Sequence, residues 1–426
     1  MATRGKTRQR YRHYALGNTP LAVTHSGNGL DDARLEPIHS LESRLPMLPF
    51  IVASDLHLSA DASAGTVRDL GRLLHEHPGH ELILAGDVFN LSWEPPDRSA
   101  VDAVLSLFSA FPELGRTLRE PLAQGTPLTL LAGNHDAGLM GPELRGALLQ
   151  RLELNQSAPL SIAPWFVRRG GVHIEHGHFY DPDNAPAHPL AQWTPETEPL
   201  GIALTRRFVR PSGAYHFSHA HETTPLAGIT KAFRIYGART PLIIAQWFRI
   251  AGKLCLEARQ QGRFAAEEQA GQAALLEFAR LVELEPEMLE TLLRTGAVPT
   301  HRNARATFMR LYFDRVFASM GLALSSAAYL AWKSRAAGVA GLLAGLYLIQ
   351  SVQRTGNRYE DLPEERLRSA AERVRNLTGA EAVIFGHTHQ VDEVPGYANS
   401  GSFGYSSSGR PYVRADEQGR LSVRRL

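Results

Sequence analysis

Cysteine is almost missing from this chain: Cys255 is the only one in 426 residues. That excludes a disulfide framework and any metal centre built on thiolates, and it fits a reducing, cytoplasmic setting. Net charge is also small, +2 with histidine neutral, too little to argue for nucleic-acid binding by bulk electrostatics. No Gly-rich loop ending in Lys occurs, so P-loop chemistry has no support. Repeats and low-complexity tracts are absent as well. The basic start, Arg4 to His13, is followed by no apolar stretch and does not read as a secretory signal peptide. Residues 1–45 are expected to be a basic, irregular arm, either solvated or touching anionic lipid headgroups. Hydrophobic residues make up 43% of the chain, which excludes a mainly disordered protein.

What the chain does contain is five short segments rich in His and Asp: Asp55-Leu56-His57, Gly86-Asp87, Gly133-Asn134-His135-Asp136, His176-Gly177-His178 and Gly386-His387-Thr388-His389. Each follows a short apolar run, namely 50–53, 82–85, 128–132, 172–175 and 382–385, of the kind that forms buried strands. In an open α/β sheet the ligand crevice lies beyond the carboxyl ends of the strands, so five strand ends would gather these side chains into one site. Carboxylates, imidazoles and one amide oxygen suit hard or borderline divalent ions such as Mn²⁺, Fe²⁺ and Zn²⁺. An aspartate bridging two such ions lets them clamp the attacking and leaving oxygens of a phosphoryl displacement.

The ordered set D-x-H, GD, GNHD, H and GHTH resembles the calcineurin-like metallophosphoesterase superfamily, over residues 50–181 and 380–402. The resemblance implies an αββα sandwich around a dinuclear metal site, Mn²⁺ being the first expectation. It implies that Asp55, His57 and His389 hold one ion, that Asn134, His176 and His387 hold the other, and that Asp87 bridges. His135 would contact the phosphate and protonate the leaving group, with Asp136 orienting it; Asp136 could also cap the following helix. His178 has no fixed role, and either hydrogen-bonds behind the ligands or contacts substrate. Asn90 joins it as a candidate substrate contact. The implied reaction is hydrolysis of a phosphate ester or pyrophosphate by a metal-activated hydroxide.

Leu70, Leu73 and Leu74, then Val101, Val104, Leu105 and Phe108, mark helices between the motifs, giving an α/β alternation over 46–184. Asp181-Pro182-Asp183-Asn184 and the Pro-rich stretch to Pro199 open a mostly helical insertion, 185–360. Within it, His216 and His219 belong to a histidine cluster, 215–222, that suggests a substrate-facing polar loop more than a third metal. Two charge-free apolar runs follow, Val316–Trp332 and Ala336–Val352, parted by Lys333-Ser334-Arg335. Their length sits at the bottom of the spanning range of about 17–25 residues. Both catalytic halves must share one side of any membrane, so 316–352 is expected to be an inserted hairpin, with a soluble buried hairpin as the alternative. Arg302, Arg305, Arg310 and Arg315 before it, with Arg354 and Arg358 after, suit a cytoplasmic base. Residues 361–426 would complete the core with a helix, the GHTH strand and closing antiparallel strands.

The insertion's position and apolar character resemble those of the bacterial UDP-diacylglucosamine pyrophosphohydrolases, which points to an amphiphilic or lipid-linked phosphorylated substrate and to membrane association. A soluble phosphodiesterase or nucleotide phosphatase with a helical cap is the alternative. An inactive metal-binding scaffold or a membrane adaptor is the reading from another class.

Overall fold

Four short strands with almost no polar side chain, β1 (Phe50–Ala53), β2 (Glu81–Ala85), β3 (Leu128–Leu131) and β4 (Leu160–Ala163), run parallel in the computed structural model. It describes residues 48–60, 63–214, 225–355, 358, 363–406 and 409–426. The expected 1–45 arm and the cluster holding His216 and His219 lie outside the described residues. β1–β4 are joined at one edge by the antiparallel β10 (Pro411–Ala415) and β11 (Leu421–Arg425), giving the order β11-β10-β1-β2-β3-β4. A second sheet has the order β5-β6-β7-β9-β8, built from β5 (Phe166–Arg169), β6 (Val172–Glu175), β7 (Ala382–Phe385), β8 (Val391–Val394) and β9 (Tyr397–Ser400). Its central strands β6, β7 and β9 are parallel.

The sheets face each other across Phe50, Val52, Ile83, Leu131, Ile174, Ile384 and Val413, all buried. Helices α1 (Ala64–Glu76), α2 (Ala100–Ala110), α3 (Pro112–Ala123) and α4 (Leu144–Arg151) cover the outer face of the first sheet through Leu70, Leu73, Val104, Phe108, Leu118 and Leu148. The αββα architecture expected from the resemblance is therefore the one the chain forms.

In the helical region, α5 (Leu200–Leu204) passes through a π-helical turn, Thr205–Val209, into α6 (Arg210–Ser212). There follow α7 (Pro225–Tyr236), α8 (Thr240–Glu257), α9 (Ala265–Val282), α10 (Pro286–Thr295), α11 (Ala304–Arg310), α12 (Phe313–Trp332), α13 (Arg335–Thr355) and α14 (Pro363–Thr378). Not all of it is an added cap. Leu275, Phe278, Val282, Leu289 and Leu292 of α9 and α10 pack with Leu367 and Val374 of α14 against Phe166, Val383 and Phe385 of the second sheet. The fourth layer of the sandwich thus comes largely from what the sequence reads as insertion, because the stripe on α9 and α10 needs an apolar partner and the outer face of β5–β7 supplies one.

α12 and α13 pair with each other, small residues easing the approach: Gly341 stands opposite Ser325 and Leu322. Their other faces are bare. Leu324 and Leu330 are 68% exposed and Trp332 78%, so the described residues of this chain do not themselves cover the hairpin. α13 is the one helix among the described residues long and apolar enough to cross a membrane, and only 6% of its most apolar stretch is buried. At the base, Arg358 pairs with Asp314 at 2.6 Å and Tyr347 donates to Asp314 at 2.5 Å, tying the two helices to each other.

Candidate metal centre

Asp55 and His57 leave the end of β1, Asp87 the end of β2, Asn134 and His135 the end of β3, His176 the end of β6, and His387 and His389 the end of β7. Because the two sheets are stacked, these carboxyl ends open onto one place. The loops bearing them are knitted by backbone hydrogen bonds, Asp55 N–H to Gly86 O at 3.1 Å, His57 N–H to Asp87 O at 2.9 Å and Gly386 N–H to His176 O at 3.0 Å. The fit tolerates no extra atoms. A Cβ on Gly133 would lie 2.3 Å from Asp87 Oδ1, and one on Gly386 would lie 2.2 Å from Ser54 Oγ. Among the described residues nine non-glycine residues have positive φ, and five of them are Asp55, His57, Asp87, His387 and His389. Left-handed backbone in such residues is strained, and strain concentrated at one cluster marks a functional site.

Among the described residues three overlapping groups could each hold a cation with ligand atoms within 4.8 Å of one another: Asp55, His57 and His389; His57, Asp87 and His135; Asp55, Asp87 and His176. Asp87 Oδ2 lies 3.3 Å from His176 Nε2 and 3.8 Å from His57 Nε2, between the two halves, where a bridging ligand belongs. Asn134 Oδ1 sits 3.1 Å from His176 Nε2. His57 Nε2 and His389 Nε2 face each other at 3.1 Å. Asp55 Oδ2 is occupied by Ser54 Oγ–H at 2.5 Å and by the His387 N–H at 3.0 Å. Its Oδ1, buried and 3.1 Å from His389 Nε2, accepts no hydrogen bond. An orphaned carboxylate oxygen among converging imidazoles is what a divalent cation would satisfy.

The electrostatics agree. Burial opposes charge on Asp55 and Asp87, yet His176 and His389 beside the first, and His176 and His135 beside the second, hold both carboxyls below their ordinary range. Burial likewise works against a charged His176, but Asp87 and Asp55 outweigh it and push the imidazole up to about 10. Burial and the neighbouring His135 push His57 down to about 3. Two buried carboxylates that recruit protons onto a histidine want positive charge. Metal ions supply it and require the imidazole neutral, so the donor set fits a dinuclear site.

His387 is brought to the cluster, its ring 5.2 Å from that of His176, but its Nε2 is taken by Asp181 Oδ2 at 3.0 Å. That leaves Nδ1 as the nitrogen free for an ion, an arrangement in which a carboxylate fixes the ligand's tautomer. Asn184 Nδ2 donates to Asp181 at 2.7 Å, and Asn184 Oδ1 accepts from Asn134 Nδ2 at 3.2 Å. The sequence offered 181–184 only as turn chemistry; a cluster of Asp and Asn is a turn signal and a ligand-holding signal alike. Asp183, in the same turn, accepts from Arg310 at 2.6 Å and Thr300 at 2.7 Å, linking the centre to the base of the hairpin.

The roles expected of Asp136 are corrected. Its side chain neither orients His135 nor caps the helical turn that follows. Instead Oδ1 accepts from Gly133 N–H at 2.7 Å and Asp87 N–H at 3.2 Å, and Oδ2 from Val88 N–H at 2.7 Å and Phe89 N–H at 3.1 Å. The reason is topological: β2 and β3 are neighbours, and a carboxylate between their loops satisfies amides that no strand partner reaches. His135 is held by Ser92 Oγ at 2.7 Å and Asn90 Oδ1 at 3.2 Å. Since Ser92 gives its proton to Asn90, both contacts need Nδ1 to carry hydrogen, leaving Nε2 for the reaction. Asn90 therefore positions His135. His178 lies beside His176 and His387, 5.3 and 6.4 Å between ring centres, tilted to the first and edge-on to the second. Tyr405, missed in the sequence for want of a motif, places its ring 4.9 Å from His57 and 5.6 Å from His389.

The profile of the calcineurin-like phosphoesterase family matches residues 48–236. No curated protein matches the chain. The matched span contains Asp55, His57, Asp87, Asn134, His135 and His176, and the fold returns His387 and His389 to them from beyond it. Residues 48–236 of the chain are a calcineurin-like phosphoesterase domain.

Proposed function

We propose that this chain is a metal-dependent hydrolase of a phosphate ester or pyrophosphate in an amphiphilic, lipid-linked substrate, working at the cytoplasmic face of a membrane. The observation that carries the reaction is the convergence of Asp55, His57, Asp87, His176 and His389 about an oxygen with no hydrogen-bond donor. Asp55, His57 and His389 would hold one ion, Asn134, His176 and His387 the other, and Asp87 both. When bound, Mn²⁺, or Fe²⁺ or Zn²⁺, which the same donors suit, would acidify water and neutralise charge on the phosphoryl oxygens. His135, its Nδ1–H fixed by Ser92 and Asn90, holds Nε2 ready to pass a proton to the leaving oxygen. Asp181 and Asn184 keep His387 and Asn134 aimed.

The hairpin supports the substrate class and the location. α12 and α13, 20 and 21 residues long, reach about 30 Å at 1.5 Å per residue, the thickness of a bilayer's hydrocarbon core. Its base carries Arg302, Arg305, Arg310, Arg315, Arg354 and Arg358. The link from Arg310 through Asp183 sets that base beside the metal centre, where the head of a membrane-held substrate would arrive.

The test is a substrate panel with Mn²⁺ on protein purified in mild detergent, comparing nucleotides, a small phosphodiester, a phosphopeptide and a lipid-linked pyrophosphate. The lipid-linked compound should give the highest kcat/KM. A variant carrying Leu324→Asp, Leu342→Asp and Leu346→Asp, all exposed positions, should no longer resist extraction from membranes by high salt and should lose activity on that substrate while keeping the small diester. Absence of metal-dependent hydrolysis throughout would refute the enzyme; wild-type protein that is monodisperse without detergent would refute the membrane location.

A further inference from the structure

A second surface beside the hairpin is also left uncovered. From Pro225 to Leu256 the chain carries Lys231, Arg234, Arg239, Arg249 and Lys253 and not one Asp or Glu. On α8, Ile243, Ala251 and Leu254 pack inward, while Leu242, Ala245, Arg249, Lys253 and Leu256 form one outward stripe at helical periodicity. Leu242 is 74% exposed and Leu256 60%. On α7, Lys231, Phe233, Arg234 and Ile235 are all exposed. A helix face meant for water mixes charges of both signs; this one mixes cations with large apolar side chains. It is continuous with the hairpin, for the rings of Trp247 and Phe248 on α8 lie 6.1 and 6.0 Å from that of Phe313 in the first turn of α12.

We propose that α7 and α8 form an interfacial platform for anionic phospholipid headgroups, the leucines and Phe233 sinking to the acyl boundary while the five cations meet phosphates. Helices of this composition lie in the plane of a membrane interface, and each cation near an anionic surface adds attraction. Nucleic acid would match the cations but not the exposed Leu242, Leu256, Phe233 and Ile235, and the chain's net charge of +2 gives it no general pull. The orientation of the platform rests on the membrane reading of the hairpin; its lipid selectivity does not. The membrane contact is then divided: the hairpin supplies depth regardless of headgroup, and the platform supplies a preference for anionic lipid beside the hairpin's base.

Vesicle flotation separates the parts. The starting protein carries the Leu324→Asp, Leu342→Asp and Leu346→Asp substitutions, so that hairpin insertion is blocked. It should float with vesicles containing phosphatidylglycerol, not with phosphatidylcholine alone, and be released by high salt. Adding Arg234→Ser, Arg239→Ser, Arg249→Ser and Lys253→Ser should weaken anionic binding roughly 10²–10³-fold, at about fivefold per cation. The corresponding Arg→Lys set should bind as the starting protein does, with circular dichroism melting confirming that each variant is folded. Unchanged binding after loss of the four cations, or equal binding to both vesicle types, overturns the proposal. So does binding to a DNA duplex in place of vesicles. Failure of the hairpin reading shows elsewhere, as wild-type protein that does not float with neutral vesicles.

Discussion

Asp136→Asn is the substitution that tests most about how this centre is held. The carboxylate accepts four backbone N–H groups, two on each oxygen, from the loops after β2 and β3. Asparagine keeps one acceptor and turns an NH₂ group toward the other two amides, which are buried. Leaving a buried donor unsatisfied costs about 1–3 kcal/mol, so two cost roughly 2–6 kcal/mol. At about 2–4 °C per kcal/mol, the melting midpoint should fall by roughly 5–20 °C. The amides concerned belong to Asp87 and its neighbours and to Gly133, so the bridging ligand should shift with them and metal content should drop. Differential scanning fluorimetry, with metal analysis by inductively coupled plasma mass spectrometry, reads both. If the variant kept wild-type stability and full metal while losing turnover only on poor leaving groups, Asp136 would be acting through His135, and the backbone-clamp account would be wrong.

Asp87→Ala removes the one carboxylate placed between both halves of the centre, and metal analysis should show loss of at least one ion with near-complete loss of hydrolysis; full occupancy with activity would defeat the bridging assignment. His135→Ala should slow poor leaving groups by roughly 10²–10⁴-fold with metal content near wild type. Good leaving groups should suffer less, and Ser92→Ala should show a smaller loss of the same kind because Nδ1 loses its nearer partner. Asp181→Asn should weaken metal affinity by roughly 10–100-fold, the scale for partners that orient a ligand, which titration of the apoprotein with Mn²⁺ would measure; unaltered affinity would show that the His387 contact does not matter.

Much of the centre was legible because its signals are local. Asp55, His57, Asp87, Asn134, His176 and His389 each follow a short apolar strand, and strand, motif and turn are written in consecutive residues. The apolar runs of α12 and α13 were legible for the same reason, as were α1, α2 and α14 from their periodicity. What the sequence could not show are the contacts made when distant segments close on one another. Asp136 looks like a helix cap until β2 and β3 lie side by side and its carboxylate finds Val88 and Phe89 instead. Asp181 looks like a turn until β7 arrives from some 200 residues away and presents His387 to it. α9 and α10 look like insertion until the bare outer face of the second sheet claims their apolar stripe. The chain's residue types and their periods determined which strands, helices and donors exist. Only the stacking of two sheets decided which donors meet, because a hydrogen bond or a ligand set depends on distances that sequence separation does not fix.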